Sequence, residues 1–244
     1  MAHAGLYEPN ACDIDVHALH QGYLRGAKRH GATLLCQAQV ESAVQTQGHW
    51  TLGTRAGTCS ADLLVNAAGA WADELAQMAG VAPIGLTPLR RTALVFEDAQ
   101  TWDSAQWPLA VDIDEQIYIK PDAGRLLASP ADETPSPACD AQPDEYDVAV
   151  LLDRLERMTL LRPKRITGRW AGLRTFSPDR TPVAGFDHSV PNFFWLAGQG
   201  GYGIQTAPAL AQLSAILILG RPMPDALAAQ GVQAQSLSAR RFAS

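Results

Sequence analysis

Several things this sequence lacks narrow what it can be. Its four cysteines, Cys12, Cys36, Cys59 and Cys139, lie far apart with no CxxC pair, which removes the common ligand spacing for structural zinc and the thioredoxin-like redox motif. Positive charge is scarce. The 19 Lys and Arg against 25 Asp and Glu leave a formal net charge of −6, whereas a nucleic-acid surface needs a basic face. Charged residues are 18% and hydrophobic ones 47% of the chain, a balance that excludes disorder. The longest apolar run, Ala207 to Leu219, is broken by Gln212 and Ser214 and is too short to span a bilayer. The Met-Ala-His-Ala start has no apolar signal core. GxSxG and HExxH are both missing, so serine-hydrolase and zincin chemistry have no support. His17 and His20 lack a third ligand at matching spacing and read as a solvated helix surface. These absences predict a cytoplasmic protein with free thiols, no nucleic-acid partner and no integral membrane span, a peripheral place at the inner membrane staying open.

What is present reads as mixed α and β. Asp15 precedes Val16, Leu19, Tyr23, Leu24 and Ala27 at helical spacing, with Lys28, Arg29 and His30 near the end and Gly31 beyond; a helix over 15–30 follows. Ala32–Cys36, Val40–Thr46 and Trp50–Thr54 read as strands of a meander. Asp62–Asn66 is a compact apolar strand leading through small residues into a helix over 71–79. Arg91–Phe96, Gln116–Lys120 and Arg125–Ala128 alternate like antiparallel strands, with turn chemistry at Pro121-Asp-Ala-Gly124. A polar loop over 129–143 precedes a helix over 144–158, whose Val148, Leu151, Leu152 and Leu155 share one face. This middle block looks like an insertion. Phe193–Ala197 is a strand, a helix follows from about Thr206 to Leu219, and the last two dozen residues form a short tail.

Two features carry chemistry. In Trp195-Leu-Ala-Gly-Gln-Gly-Gly-Tyr-Gly-Ile-Gln205, a strand meets Gly198, Gly200, Gly201 and Gly203 and then a helix start. Glycines admit close approach of the backbone, and a helix N-terminus favours partial negative charge. Pro208 fits the first turn of that helix. Arg91 and Arg174 each stand at the end of an apolar strand, where a guanidinium can grip a carboxylate in a two-pronged contact. Taken singly, either arginine also suits a surface salt bridge.

The segments 13–26, 64–73, 116–124 and 170–174, with the Gly200 cluster, resemble in order those of the D-amino-acid oxidase superfamily, nearest its D-arginine dehydrogenase branch. The resemblance implies the C-terminal part of a discontinuous FAD-binding domain with an inserted antiparallel substrate domain. In that scheme residues 13–82 and 166–222 belong to the FAD domain, 1–12 and 83–165 to the substrate domain, and 223–244 to the tail. The implied cofactor is FAD and the implied substrate a small D-amino acid, oxidised to an imino acid by hydride transfer to the flavin. Arg174 corresponds to the arginine on the substrate carboxylate, Arg91 to its partner, and Tyr118 to a tyrosine whose hydroxyl touches the same group. Arg174 and Tyr118 are thus the implied catalytic pair. Gly201 corresponds to a carbonyl that holds the amine. Ala68, Gly69, Trp71, Gly172 and the run Gln199, Gly200, Gly201, Tyr202, Gly203, Ile204, Gln205 correspond to cofactor contacts. The family's opening strand–GxGxxG–helix has no counterpart here, and Gly5-Leu-Tyr-Glu-Pro9 matches a point well inside the family's length. The expectation is therefore a truncated or split member. The alternative is a non-catalytic remnant or subunit that binds carboxylates and needs a partner supplying the Rossmann half.

Overall fold

The computed structural model describes residues 4–243. Residues 1–3 and 244, the extremities of the expected substrate domain and tail, lie outside the described residues. The chain divides into two compact units. One is Pro88–Arg174 with the stretch ending at Cys12; the other is Asp13–Thr87 with the chain from Thr175 onward.

The first unit is built on a six-stranded sheet ordered β10-β5-β8-β7-β6, with β9 also pairing β5. The strands are β5 (Thr87–Asp98), β6 (Ala110–Val111), β7 (Tyr118–Asp122), β8 (Arg125–Ser129), β9 (Thr134–Pro135) and β10 (Pro163–Phe176). β7 and β8 form a tight hairpin closed by Asp122↔Arg125, with Ala123 and Gly124 both at positive φ, as a two-residue turn of matching twist requires. Helix α3 (Glu145–Met158) starts where the Asp144 side chain accepts from the Tyr146 amide, an N-cap bond. Its Val148, Leu151 and Leu155 pack with Leu94, Phe96, Leu126 and Ala128. One face of the sheet is thereby covered. Strand residues alternate between faces, so Arg91, Ala93 and Val95 of β5 project to the opposite one.

The second unit begins with α1 (Val16–Arg29), capped by Asp15, whose carboxylate accepts from the Ala18 amide. A meander follows: β1 (Val40–Thr46), β2 (His49–Thr54) and β3 (Gly57–Ala61). The expected strand at Ala32–Cys36 is not formed; Leu34 and Leu35 are exposed instead. Its apolar pattern suits a strand, but a strand needs a neighbour for its ladder, and none flanks it among the described residues. The meander's third strand is Gly57–Ala61, which alternation did not signal. β4 (Leu64–Asn66), a one-turn 3₁₀ segment (Gly69–Trp71) and α2 (Ala72–Met78) come next.

After residue 175 come β11 (Val183–Phe186), β12 (Phe193–Ala197) and α4 (Gly203–Ile218). β12 pairs β11 antiparallel and β4 parallel. Phe193, Trp195, Val183, Trp50, Leu64 and Ala72 form the core of this unit. Trp195 is wholly buried, its indole N–H donating to Asp187 at 3.0 Å. α4 begins at Gly203, three residues before the expected start, so Pro208 lies inside it and not in the first turn. Pro208 has no N–H for the ladder. The segment read as a tail is folded: α5 (Asp225–Ala228), α6 (Ala234–Leu237) and a 3₁₀ turn (Ala239–Phe242) follow. Arg241 ties the last of these down, donating to Asp179 and to the carbonyls of Thr181, Pro182 and Ser238. All four cysteines are free, no helix among the described residues is long and apolar enough to cross a membrane, and the described residues hold no cluster fit for a metal ion.

Candidate functional site

The residues singled out from the sequence are divided between the units: Arg91, Tyr118 and Arg174, with Gly172 from the expected cofactor contacts, fall in the first, and Ala68, Gly69, Trp71 and Gln199 to Gln205, with Gly201 from the expected substrate contacts, in the second. In the first unit, Arg91 of β5, Tyr118 of β7 and Arg174 of β10 come together. Ile119 packs into the core beneath α3, so Tyr118 projects to the other face, the one that bears Arg91. Gly168 of β10 sits against Val95, an added Cβ lying 3.9 Å from the valine Cβ. The same alternation puts Gly172 and Arg174 on that face, and the space beside Gly172 is open.

Electrostatics agree with this placement. Burial lowers the Arg91 guanidinium from its ordinary value, and the nearby charge of Arg174 lowers it further; Tyr118, Asp132 and Glu133 act the other way. Arg91 is thus a largely buried cation beside a second cation. Its Nη2 donates to Glu133 at 3.3 Å, while its Nε is buried and meets no hydrogen-bond partner among the described residues. A buried guanidinium with an idle donor is costly unless an anion completes it. A planar carboxylate is the natural complement. Arg90, one residue earlier, points to the α3 face and is bound to Asp147 at 2.8 Å and Asp144 at 3.5 Å, a structural tie.

In the second unit, β4 and β12 run parallel, with Asn66 opposite Trp195, so their carboxyl ends lie at the same end of the sheet. Ala68, Gly69 and Trp71 follow the first; Gln199 to Gln205 follow the second. Loops leaving the carboxyl ends of neighbouring parallel strands are where open α/β sheets bind ligands. Asn66 organises the first loop: wholly buried, it donates to the Ala72 carbonyl at 2.8 Å and accepts from the Ala68 amide at 3.3 Å. The second loop turns at Gly200, with φ +56, whose amide donates to the Thr175 carbonyl at 2.9 Å. A Cβ there would lie 2.3 Å from Cε1 of Phe176, so only glycine fits. The Phe176 ring carries the Arg180 guanidinium 3.9 Å from its centroid. α4 then starts at Gly203 with no side-chain cap. Its first amides, of Gly203, Ile204 and Gln205, have no intrahelical acceptor. Gly201, Tyr202, Ile204 and Gln205 are exposed. These donors, bare of β-carbons at Gly200, Gly201 and Gly203, suit an acceptor carrying partial negative charge, such as the pyrimidine edge of a flavin.

Sequence reasoning did not single out Asn66, Phe176, Asp132 or Glu133. Asn66 could have been suspected as a polar residue closing an apolar strand. The other three owe their place to pairing across the fold.

Parallel strands with glycine-lined loops at their carboxyl ends suit a bound cofactor, and a separate antiparallel sheet bears paired arginines suited to an anion. A family profile described as FAD dependent oxidoreductase matches residues 2–217, and the chain belongs to that family, whose members depend on FAD. It is 29% identical over 243 residues to the mitochondrial dimethylglycine dehydrogenase of Mus musculus, covering 91% of this chain and 28% of that protein. It is 26% identical over 226 residues to glycine oxidase of Bacillus licheniformis, covering 90% of this chain and 59% of the relative. Among solved structures, L-proline dehydrogenase from P. horikoshii superposes with a TM-score of 0.75 at 22% identity, over 93% of this chain and 59% of that one. This chain therefore spans well under two thirds of the relatives it matches.

Proposed function

We propose that this chain contributes the carboxylate clamp and the flavin-facing turn of an enzyme that oxidises small amino acids, D-amino acids among them, at the Cα–N bond to imino acids. The observation that carries the reading is the approach of two like charges, Arg91 and Arg174, on one face of the sheet; the buried Nε of Arg91, without a hydrogen-bond partner among the described residues as is that of Arg90, agrees with it. Dimethylglycine and glycine, named for two relatives, share one feature, a carboxylate next to the reacting amine, and that feature suits this pair.

In this reading Arg174 and Arg91 bind the substrate carboxylate, and the Tyr118 hydroxyl donates to it. The carbonyl of Gly201 accepts from the amine, and the open space beside Gly172 admits the cofactor. Ala68, Gly69, Trp71 and Gln199 to Gln205 hold FAD. The bound FAD supplies the two-electron acceptor. The protein's own part is orientation: fixing the acid group removes rotational freedom from the Cα that must react. The amine reacts in its neutral form, so the substrate ammonium must lose its proton before or as it reacts.

The test combines flavin absorbance with ligand binding. Adding FAD to the purified chain should perturb the visible flavin bands, and glycine or D-alanine should bind with an affinity that falls when Arg174 or Arg91 is replaced. Binding that ignores both arginines would overturn the reading.

A second reading rests on exposure. α1 has no buried residue, with Val16 and Tyr23 open, and Leu34, Leu35 and Ile204 are also exposed. β4 is an edge of its sheet. Such apolar surface marks an interaction site, here for a further polypeptide segment completing the parallel sheet. Flavin colour that appears only when an N-terminal family fragment is added would favour this version.

A further inference from the structure

Strand β9 is only two residues long, yet its register decides what faces Arg91. Leu89 pairs with Pro135 and Arg90 with Thr134, antiparallel. Carried on by two residues, that register would set Arg91 against Glu133 and Thr92 against Asp132. The Asp132 side chain lies beside Thr92, its carboxylate accepting from the Thr92 amide at 2.7 Å and from the Thr92 hydroxyl at 3.1 Å. The backbone just before is fixed too. Ala131 adopts a left-handed φ of +53, and its amide donates to the Ser129 hydroxyl at 3.1 Å. Glu133 thus lies between the β9 pairing on one side and the Asp132–Thr92 contacts on the other, and its carboxylate reaches Arg91. Directly opposed residues of an antiparallel pair share one face. Its carboxylate takes the Arg91 Nη2 on the face where Arg174 and Tyr118 also lie. The glutamate side chain is 37% exposed against 13% for the arginine, so the acid is the more solvated member of the pair.

We propose that Glu133 is a resident stand-in for the substrate carboxylate: it occupies Arg91 in the ligand-free chain and yields that guanidinium when a monocarboxylate ligand arrives. This rests on the clamp reading given above. Arg91 keeps a carboxylate at its Nη2 in both states, and the incoming group gains what Glu133 leaves unused, the buried Nε and the neighbouring Arg174. The glutamate lowers affinity without blocking binding, because every ligand must first break one ion pair. It also keeps a buried cation from standing alone while the clamp is empty.

The experiment measures dissociation constants for acetate and glycine, by ligand-observed NMR on the purified chain, for the unaltered protein and for Glu133→Gln, Glu133→Ala and Arg91→Gln. A partly exposed ion pair of this kind is worth at most about 1 kcal/mol, so both Glu133 variants should bind acetate and glycine roughly three- to fivefold more tightly. A gain of affinity is not what general damage to the fold produces. Glu133 variants that bind as the unaltered protein does, or more weakly, while Arg91→Gln still loses affinity, would overturn the stand-in role alone. If Arg91→Gln leaves both ligands unaffected, the clamp itself is wrong.

Discussion

Phe176 and Gly200 are locked in contact: the ring lies where a β-carbon on the glycine would have to be, 2.3 Å from Cε1. The ring also stacks under Arg180, and the backbone of residue 176 bridges that of Gln199. The turn leading into α4 is therefore shaped by an aromatic side chain well before it in sequence.

Gly200→Ala should be strongly destabilising. It adds a positive-φ penalty to an overpacked contact, together about 2–4 kcal/mol. Thermal unfolding should show a clear drop, and Phe176→Leu in the same chain should recover part of it. An alanine variant as stable as the parent would contradict the contact.

Arg174→Ala should weaken glycine binding about ten- to a hundredfold, the loss expected for charge-assisted hydrogen bonds of about 1.5–3 kcal/mol. Arg174→Lys should fall between, because an ammonium cannot reproduce the two-pronged fork. The melting curve should scarcely move in either variant. Unchanged affinity in the alanine variant would remove Arg174 from the clamp.

Asn66→Ala should cost about 1–3 kcal/mol, since it leaves the buried Ala72 carbonyl without its donor. The loop over Ala67–Trp71 should then exchange amide hydrogens faster than in the parent. Equal protection in both proteins would show that the asparagine does not organise that loop.

Acid should selectively loosen the C-terminal segment. The Arg241 hydrogen bond, helped by the Thr181 amide and the Ser177 hydroxyl, holds the Asp179 carboxyl far below its ordinary range. A carboxyl lowered in the folded state contributes stability that is complete above its unfolded pKa, near 4, and is lost as pH falls through the folded value. Arg241→Ala should thus be less stable than the parent at pH 7, with the gap narrowing below about pH 4. Melts of the two proteins at pH 7 and pH 3 test it; a gap that does not change with pH would assign Arg241 to its carbonyl contacts alone.

The parts of this fold legible in the sequence are those with local causes. α1 and α3 carry their own caps, Asp15 and Asp144, beside a clear apolar stripe, and both were bounded to within a residue or two. β12 is a short apolar run that any sheet would take up. Ala32–Cys36 shows the converse: a strand pattern stays coil when nothing pairs with it. β3 and β11 are hidden by weak alternation although each pairs a neighbour in sequence, and the first half of β10 by a partner, β5, far away along the chain. Pro208 suggests a helix start near Thr206, whereas α4 begins at Gly203 and carries the proline inside it. Arg91 and Arg174 were visible as strand-end cations, but their approach depends on β5 lying beside β10. Glu133 was invisible, since only the β9 register aims it.

The parallel pair β4–β12 sets an order of events during synthesis. Leu64 leaves the ribosome long before Phe193, its partner in the ladder, and everything from Pro88 to Arg174 is made in between. The β4–β12 pairing must therefore wait until the intervening sheet has been made. Closing so long a loop is slow, and a waiting apolar edge invites wrong pairing. Yield on expression should therefore depend on chaperones and temperature more than the stability of the finished protein would suggest.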